Sequence, residues 1–249
     1  MDLAALLVVF VAGVIGGSYG TLVGGTSLIT IPLLIFLGVP PHMALGTDRV
    51  GVAGLTLMGW YKFHEKGWLN YRIGLATGFA SVAGSFLGAN LVMEVPVAFL
   101  KKVIAIATLG GVALVLVNPR IGAEERDHPL SLGRFWMGLG MAFLVGIYGG
   151  FFGVMAGTFA LYLLLFVFRL SFLRGAATAK ISAFMLTTTA AIVFAWKGAI
   201  HYPMAAAMFC GCAVGSYFGA HYSDRIGNVW VRRLFIVIVL IMVINLLVA

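Results

Sequence analysis

Residues 16–32 read GGSYGTLVGGTSLITIP: five glycines, several hydroxyls and a proline, inside a chain whose other long segments are apolar enough to sit in lipid. In hydrocarbon each unpaired backbone N–H or C=O costs several kcal/mol, so non-helical chain persists at that depth only where protein or a water-filled cavity satisfies it. A glycine-broken helix in such a chain therefore predicts a cavity.

The rest of the composition supports that setting. Of 249 residues, 62% are hydrophobic and 10% charged, the mean hydropathy is +1.08, and no soluble domain of this length could bury so much apolar surface. The class expected is an all-α polytopic membrane protein, because a β-barrel would show ten-residue alternating strands rather than unbroken apolar runs. The formal charge of +8 does not indicate a nucleic-acid partner. Its cations stand singly or in pairs at the ends of apolar runs, where they set topology and meet anionic lipid head groups. MDLAALLVVF carries an acid where a signal peptide needs a basic region, so the first helix is expected to be retained. Cys210 and Cys212 face different directions on one apolar helix and predict neither a disulfide nor a metal site.

The chain repeats itself. AGSFLGAN at 83–90 recurs as VGSYFGAH at 214–221, 131 positions later. The same displacement sets KFHEKGWLNY (62–71) on VFAWKGAIHY (193–202) and Lys101-Lys102 on Arg232-Arg233. With a small slip, VIGGSYGTLVGGTSL lines up with LVGIYGGFFGVMAGTFAL. We read a first repeat over 1–117, a polar connection over 118–132 and a second repeat over 133–249, each with five helical elements. Those of the first lie near 3–20, 26–38, 43–63, 70–92 and 97–117, and those of the second near 133–153, 157–169, 174–196, 202–222 and 229–248. The piece at 26–38 reaches about 20 Å at 1.5 Å per residue, too short for a hydrocarbon core of ~30 Å. It reads as a half-helix or one arm of a re-entrant hairpin.

Charge gives the orientation. If each glycine-broken region is a single span, the loop cations divide seven and seven; if each is a pair of elements or a hairpin, they divide eleven to three, with Lys101, Lys102 and Lys197 on the poorer side. The uneven split is what the positive-inside rule expects. Each repeat then crosses an odd number of times, so the two insert with opposite orientation, each with a Gly-broken helix pair or re-entrant hairpin plus three spanning helices. Both termini are expected outside the cytoplasm. Inverted repeats with interrupted helices are an architecture of secondary transporters.

GGSYGTLVGGTSLITIPLLIFLGVPPHMALGTDR at 16–49 resembles the signature of the sulfite exporter TauE/SafE family: spaced glycines ending in a glycine run, then a proline with leucines, a G-x-P turn and an A-x-x-T/S segment. The weaker GGFFGVMAGTFALYLLLFVFRLSFLRGAATAK at 149–180 is similar to that family's second copy. The chain departs from the pattern at the glycine run, where it has Gly24-Gly25-Thr26 in one copy and Ala156-Gly157-Thr158 in the other. The resemblance implies transport, chiefly export, of sulfite, sulfoacetate or related organosulfonates, across the cytoplasmic (inner) membrane of a bacterium.

Candidate substrate-binding residues follow from the repeat. TDR (47–49) and TAK (178–180) are 131 positions apart, which pairs Thr47 with Thr178 and Arg49 with Lys180. Charges inside apolar spans are costly and usually face a cavity. Arg49 offers a planar fork to two oxygens, Lys180 a compact charge. The competing reading has Arg49 paired with Asp48 or snorkelling to an interface. Gly24, Gly25 and Gly157 leave amides unshielded, Thr26, Ser27 and Thr158 add hydroxyl donors, and the half-helices that follow direct positive N-terminal ends at the break. For Gly16–Gly20 and Gly84–Gly88, close helix packing is the preferred reading. Asp48 is the candidate coupling-proton carrier, with neutralisation of Arg49 as its alternative.

The expectation is thus a secondary transporter of a small anion working by alternating access, with no cofactor. Two rivals stay open: an anion channel of the same fold, and an intramembrane enzyme, for which GVMAGT lacks the serine that a rhomboid-like protease requires. A homodimer is allowed, though no single face marks its interface.

Overall fold

The computed structural model describes residues 3–97, 99–100, 103–104, 106 and 131–223. Its described residues form eight principal helices and no strand: α1 (Leu3–Gly20), α2 (Ser27–Phe36), α3 (Pro41–Glu65), α4 (Tyr71–Met93), α5 (Leu132–Phe151), α6 (Ala156–Phe166), α7 (Phe172–Trp196) and α8 (Tyr202–His221). The helix expected near 97–117 falls mostly outside the described residues; the one near 229–248, the polar connection up to residue 130 and both dibasic pairs fall wholly outside them. Five helices, α1, α4, α5, α7 and α8, are long and apolar enough to cross a membrane. The chain is a multi-pass membrane protein. α3 matches α7 in length at 25 residues but carries Asp48 and Arg49 in its interior. α2 and α6, at 10 and 11 residues, reach only about 15–17 Å.

Helix ends follow local rules. Lys66-Gly67 and Lys197-Gly198 close α3 and α7 in the same way: each glycine is left-handed (φ 69° and 68°), and the amides of Trp68 and Ala199 reach back to the carbonyls of Phe63 and Phe194, the six-to-one bond of a glycine-terminated helix. Pro40 and Pro41 force extended chain before α3. Asn70 and His201 then cap α4 and α8, each accepting from the amide three residues on.

Two backbone-tight pairs hold the bundle. α1 lies on α8 and α4 on α5, and a Cβ added at Gly84 or Gly88 would come within 2.1 and 2.0 Å of the carbonyl oxygens of Phe143 and Ile147. Gly211, Gly215 and Gly219 lie as close to the carbonyls of α1. Small residues let helices approach in lipid, where burial of apolar surface provides little drive. Gly84–Gly88 packs in this way, but Gly16 and Gly20 do not: Gly13 and Gly17 meet α8, while Gly16 and Gly20 back onto Thr26.

Candidate functional site

The break in the first glycine-rich region falls between α1 and α2, and that in the second between α5 and α6. Gly24 and Gly25 take φ of 84° and 87°, Gly153 takes 73°, and Met155 is left-handed at 62°. The two breaks touch: a Cβ on Gly24 would lie 2.6 Å from the amide nitrogen of Thr158, and the Thr158 hydroxyl donates to the Val23 carbonyl at 2.7 Å. Around them is a cavity of about 50 Å³, several times the ~10–15 Å³ that one water needs. Gly20, Gly24, Gly25, Thr26 and Ser27 line it from one side, and Gly153, Ala156 and Gly157 from the other. Two helix N-termini therefore open on it, and the amides of Gly25, Thr26 and Ser27 donate to no backbone acceptor among the described bonds.

Arg49 and Lys180 line this same cavity, and both are almost wholly buried, with 2% and 5% of their surface exposed. Each reaches across to the end of the other half's first helix. Arg49 Nη1 donates to the Gly149 carbonyl at 3.3 Å, and Lys180 Nζ donates to the Gly20 carbonyl at 3.2 Å. A cation at a helix C-terminus offsets orphan carbonyls and the negative dipole end. Beyond that the two differ. Arg49 Nη2 is bonded to Asp48 Oδ2 at 2.5 Å and lies 3.3 Å from Ser27 Oγ, whereas no described carboxylate lies within salt-bridge distance of Lys180. The two readings of Arg49 are thus combined: it pairs with Asp48 and faces the cavity.

The remaining candidates divide. Asp48 is buried; its Oδ2 accepts from the Ser27 hydroxyl at 2.8 Å, and its Oδ1 accepts from Thr30. Thr26 donates to the Gly16 carbonyl at 2.9 Å, which ties α2 to α1. Thr47 and Thr178 do not line the cavity. Their hydroxyls accept from the amides of His201 (2.9 Å) and Asn70 (3.0 Å), clamping the loops before α8 and α4. Two residues apart on a helix, Thr47 and Arg49 point about 200° apart, as do Thr178 and Lys180. Thr158, bonded to Val23, likewise joins the breaks.

Several site residues escaped sequence reasoning. Gly153 supports Arg49: a Cβ there would lie 2.0 Å from both guanidinium nitrogens. Thr30 completes the Asp48 shell, and its spacing of three from Ser27 places both on one face of α2. Thr56 and Thr187, 131 positions apart, also line the cavity, with hydroxyls returned to their own helices at 2.9 and 2.7 Å. Ser81 and Ser182 complete the polar lining.

A model of the family described as Sulfite exporter TauE/SafE matches residues 8–246. The chain is similar to a probable membrane transporter protein of Haemophilus influenzae, 30% identical over 95% of this chain and 91% of the relative. It is 26% identical to the probable membrane transporter protein YdhB of Bacillus subtilis over 90% and 91% of the two chains, and 27% identical to the probable membrane transporter protein YfcA of Escherichia coli over 94% and 87%. No solved structure shows a significant match.

Proposed function

The chain belongs to the sulfite exporter TauE/SafE family, and from that membership in a family of membrane transporters we propose that it exports a small sulfur-containing anion such as sulfite, sulfoacetate or a related organosulfonate. The observation that carries this reading is Lys180, a buried cation that lines a cavity between two broken helices and has no described carboxylate partner. An uncompensated buried charge is costly. An oxyanion beside it would accept from the ammonium, from Arg49 donors and from first-turn amides of α2.

The transport cycle is alternating access, with two repeats inserted in opposite orientation rocking about the cavity. Support comes from bonds that recur at matched positions. Ser85 donates to the Leu186 carbonyl at 2.8 Å and Ser216 to the Leu55 carbonyl at 2.7 Å, and the Thr47 and Thr178 clamps form a second such pair. The protein lies in the bacterial inner membrane with both termini periplasmic, a reading supported by the eleven-to-three division of loop cations. An anion leaving a cell that is negative inside is driven outward by about 2.3 kcal/mol per charge per 100 mV, so export needs no cofactor and no coupled ion.

The test is thermal stabilisation of the purified chain by a panel of sulfite, sulfoacetate, taurine, sulfate and thiosulfate. At least one sulfur anion is expected to raise the melting point in a saturable way. Lys180→Ala and Arg49→Ala are expected to abolish that shift. If both variants retain the shift in full, the cavity is not the binding site.

A further inference from the structure

The duplication that pairs Arg49 with Lys180 does not extend to their neighbours. At the position equivalent to Asp48 the second copy has Ala179, and at that of Thr30, with Thr26 set on Thr158, it has Tyr162. Asp48, with its Ser27, Thr30 and Arg49 partners, is a feature of one half alone. Its carboxylate is fully buried and accepts from two hydroxyls and a guanidinium. Arg49 thus brings donors to the cavity without net charge, since its +1 is cancelled by Asp48 in direct contact.

Dipole ends do not alter this balance. α2 and α6 open on the cavity with their N-termini, but α1 and α5 end beside it with their C-termini, whose Gly20 and Gly149 carbonyls are the ones that Lys180 and Arg49 occupy. Opposed helix ends largely offset one another. The formal charges that remain are Arg49, Asp48 and Lys180, with a sum of +1.

We infer that the cavity is built for a singly charged anion, with Asp48 as the residue that sets this selectivity by compensating the Arg49 charge, so that among the proposed substrates hydrogensulfite or a simple sulfonate monoanion is accepted and a dianion, sulfate or sulfoacetate, is rejected. The inference rests on the proposed anion site. A dianion there would leave one charge uncompensated in a low-dielectric pocket, which costs more than the additional hydrogen bond returns. Removing the Asp48 charge raises the cavity to +2 and should reverse the preference.

The experiment compares methanesulfonate, a monoanion, with sulfate, a dianion, by thermal shift and by competition against whichever panel anion stabilises the full chain. Wild type is expected to bind methanesulfonate at least about tenfold more tightly than sulfate, and Asp48→Asn to shift that ratio at least about tenfold toward sulfate. Equal or tighter sulfate binding by wild type overturns the inference. So does an unchanged ratio in folded Asp48→Asn. Should Asp48→Asn fail to fold, the wild-type ratio alone decides. Absence of stabilisation by every anion would instead overturn the proposed site, an outcome distinct from binding with the wrong charge preference.

Discussion

Arg49 is held by contacts from three elements, and the most exacting is a glycine. Gly153 is left-handed and lies directly against the guanidinium, so Gly153→Ala meets both backbone strain and a steric clash. It is expected to cost about 1–3 kcal/mol and to displace Arg49. Circular dichroism should show helix content retained while the anion-dependent thermal shift is lost. Thr30→Val removes one of the Asp48 donors without changing the shape of the side chain, and is expected to lower stability by about 1–3 kcal/mol. Arg49 as a cavity cation was legible, because a charge inside an apolar span has few other places to go. Its support by Gly153 was not, since nothing local to FFGVM shows which side chain of another helix will rest on it.

At the level of elements, the structure is built from helix pairs that touch backbone to backbone and from loops clamped by threonines. Gly84→Leu would drive a side chain into the Phe143 carbonyl and is expected to separate α4 from α5, lowering the melting point more than Gly133→Leu, which meets open space. Thr47→Val and Thr178→Val each leave a loop amide without its acceptor, at about 1–3 kcal/mol apiece. Because neither hydroxyl lines the cavity, both variants should retain the ratio of anion affinities even where the melting point falls. The boundaries of the eight described helices were read within a few residues, since caps, Lys-Gly terminators and apolar length are local signals. Assigning Thr47 and Thr178 to the cavity ignored helical phase, which was itself available from their spacing to Arg49 and Lys180.

For the whole molecule, the proposed opposed orientation of the two halves makes a topological prediction. In a Cys210→Ser, Cys212→Ser background, Leu132→Cys should react with an impermeant thiol reagent only from the cytoplasmic side and Lys197→Cys only from the periplasmic side. Labelling of both from one side would refute the arrangement. A carrier also exchanges substrate: in liposomes loaded with unlabelled anion, labelled anion should accumulate transiently against its gradient, which an open pore does not permit.

The amino-acid sequence by itself determined the membrane class, the duplication and the short helices beside glycine breaks, because these depend on composition, self-similarity and length along the chain. It also marked Arg49 and Lys180 as a matched pair. Tertiary structure alone decided that the two breaks abut, that each cation caps the first helix of the other half, and that Asp48 neutralises one cation and not the other. Those outcomes depend on the rotation of each helix about its axis and on contacts between segments a hundred residues or more apart, and no local propensity encodes either.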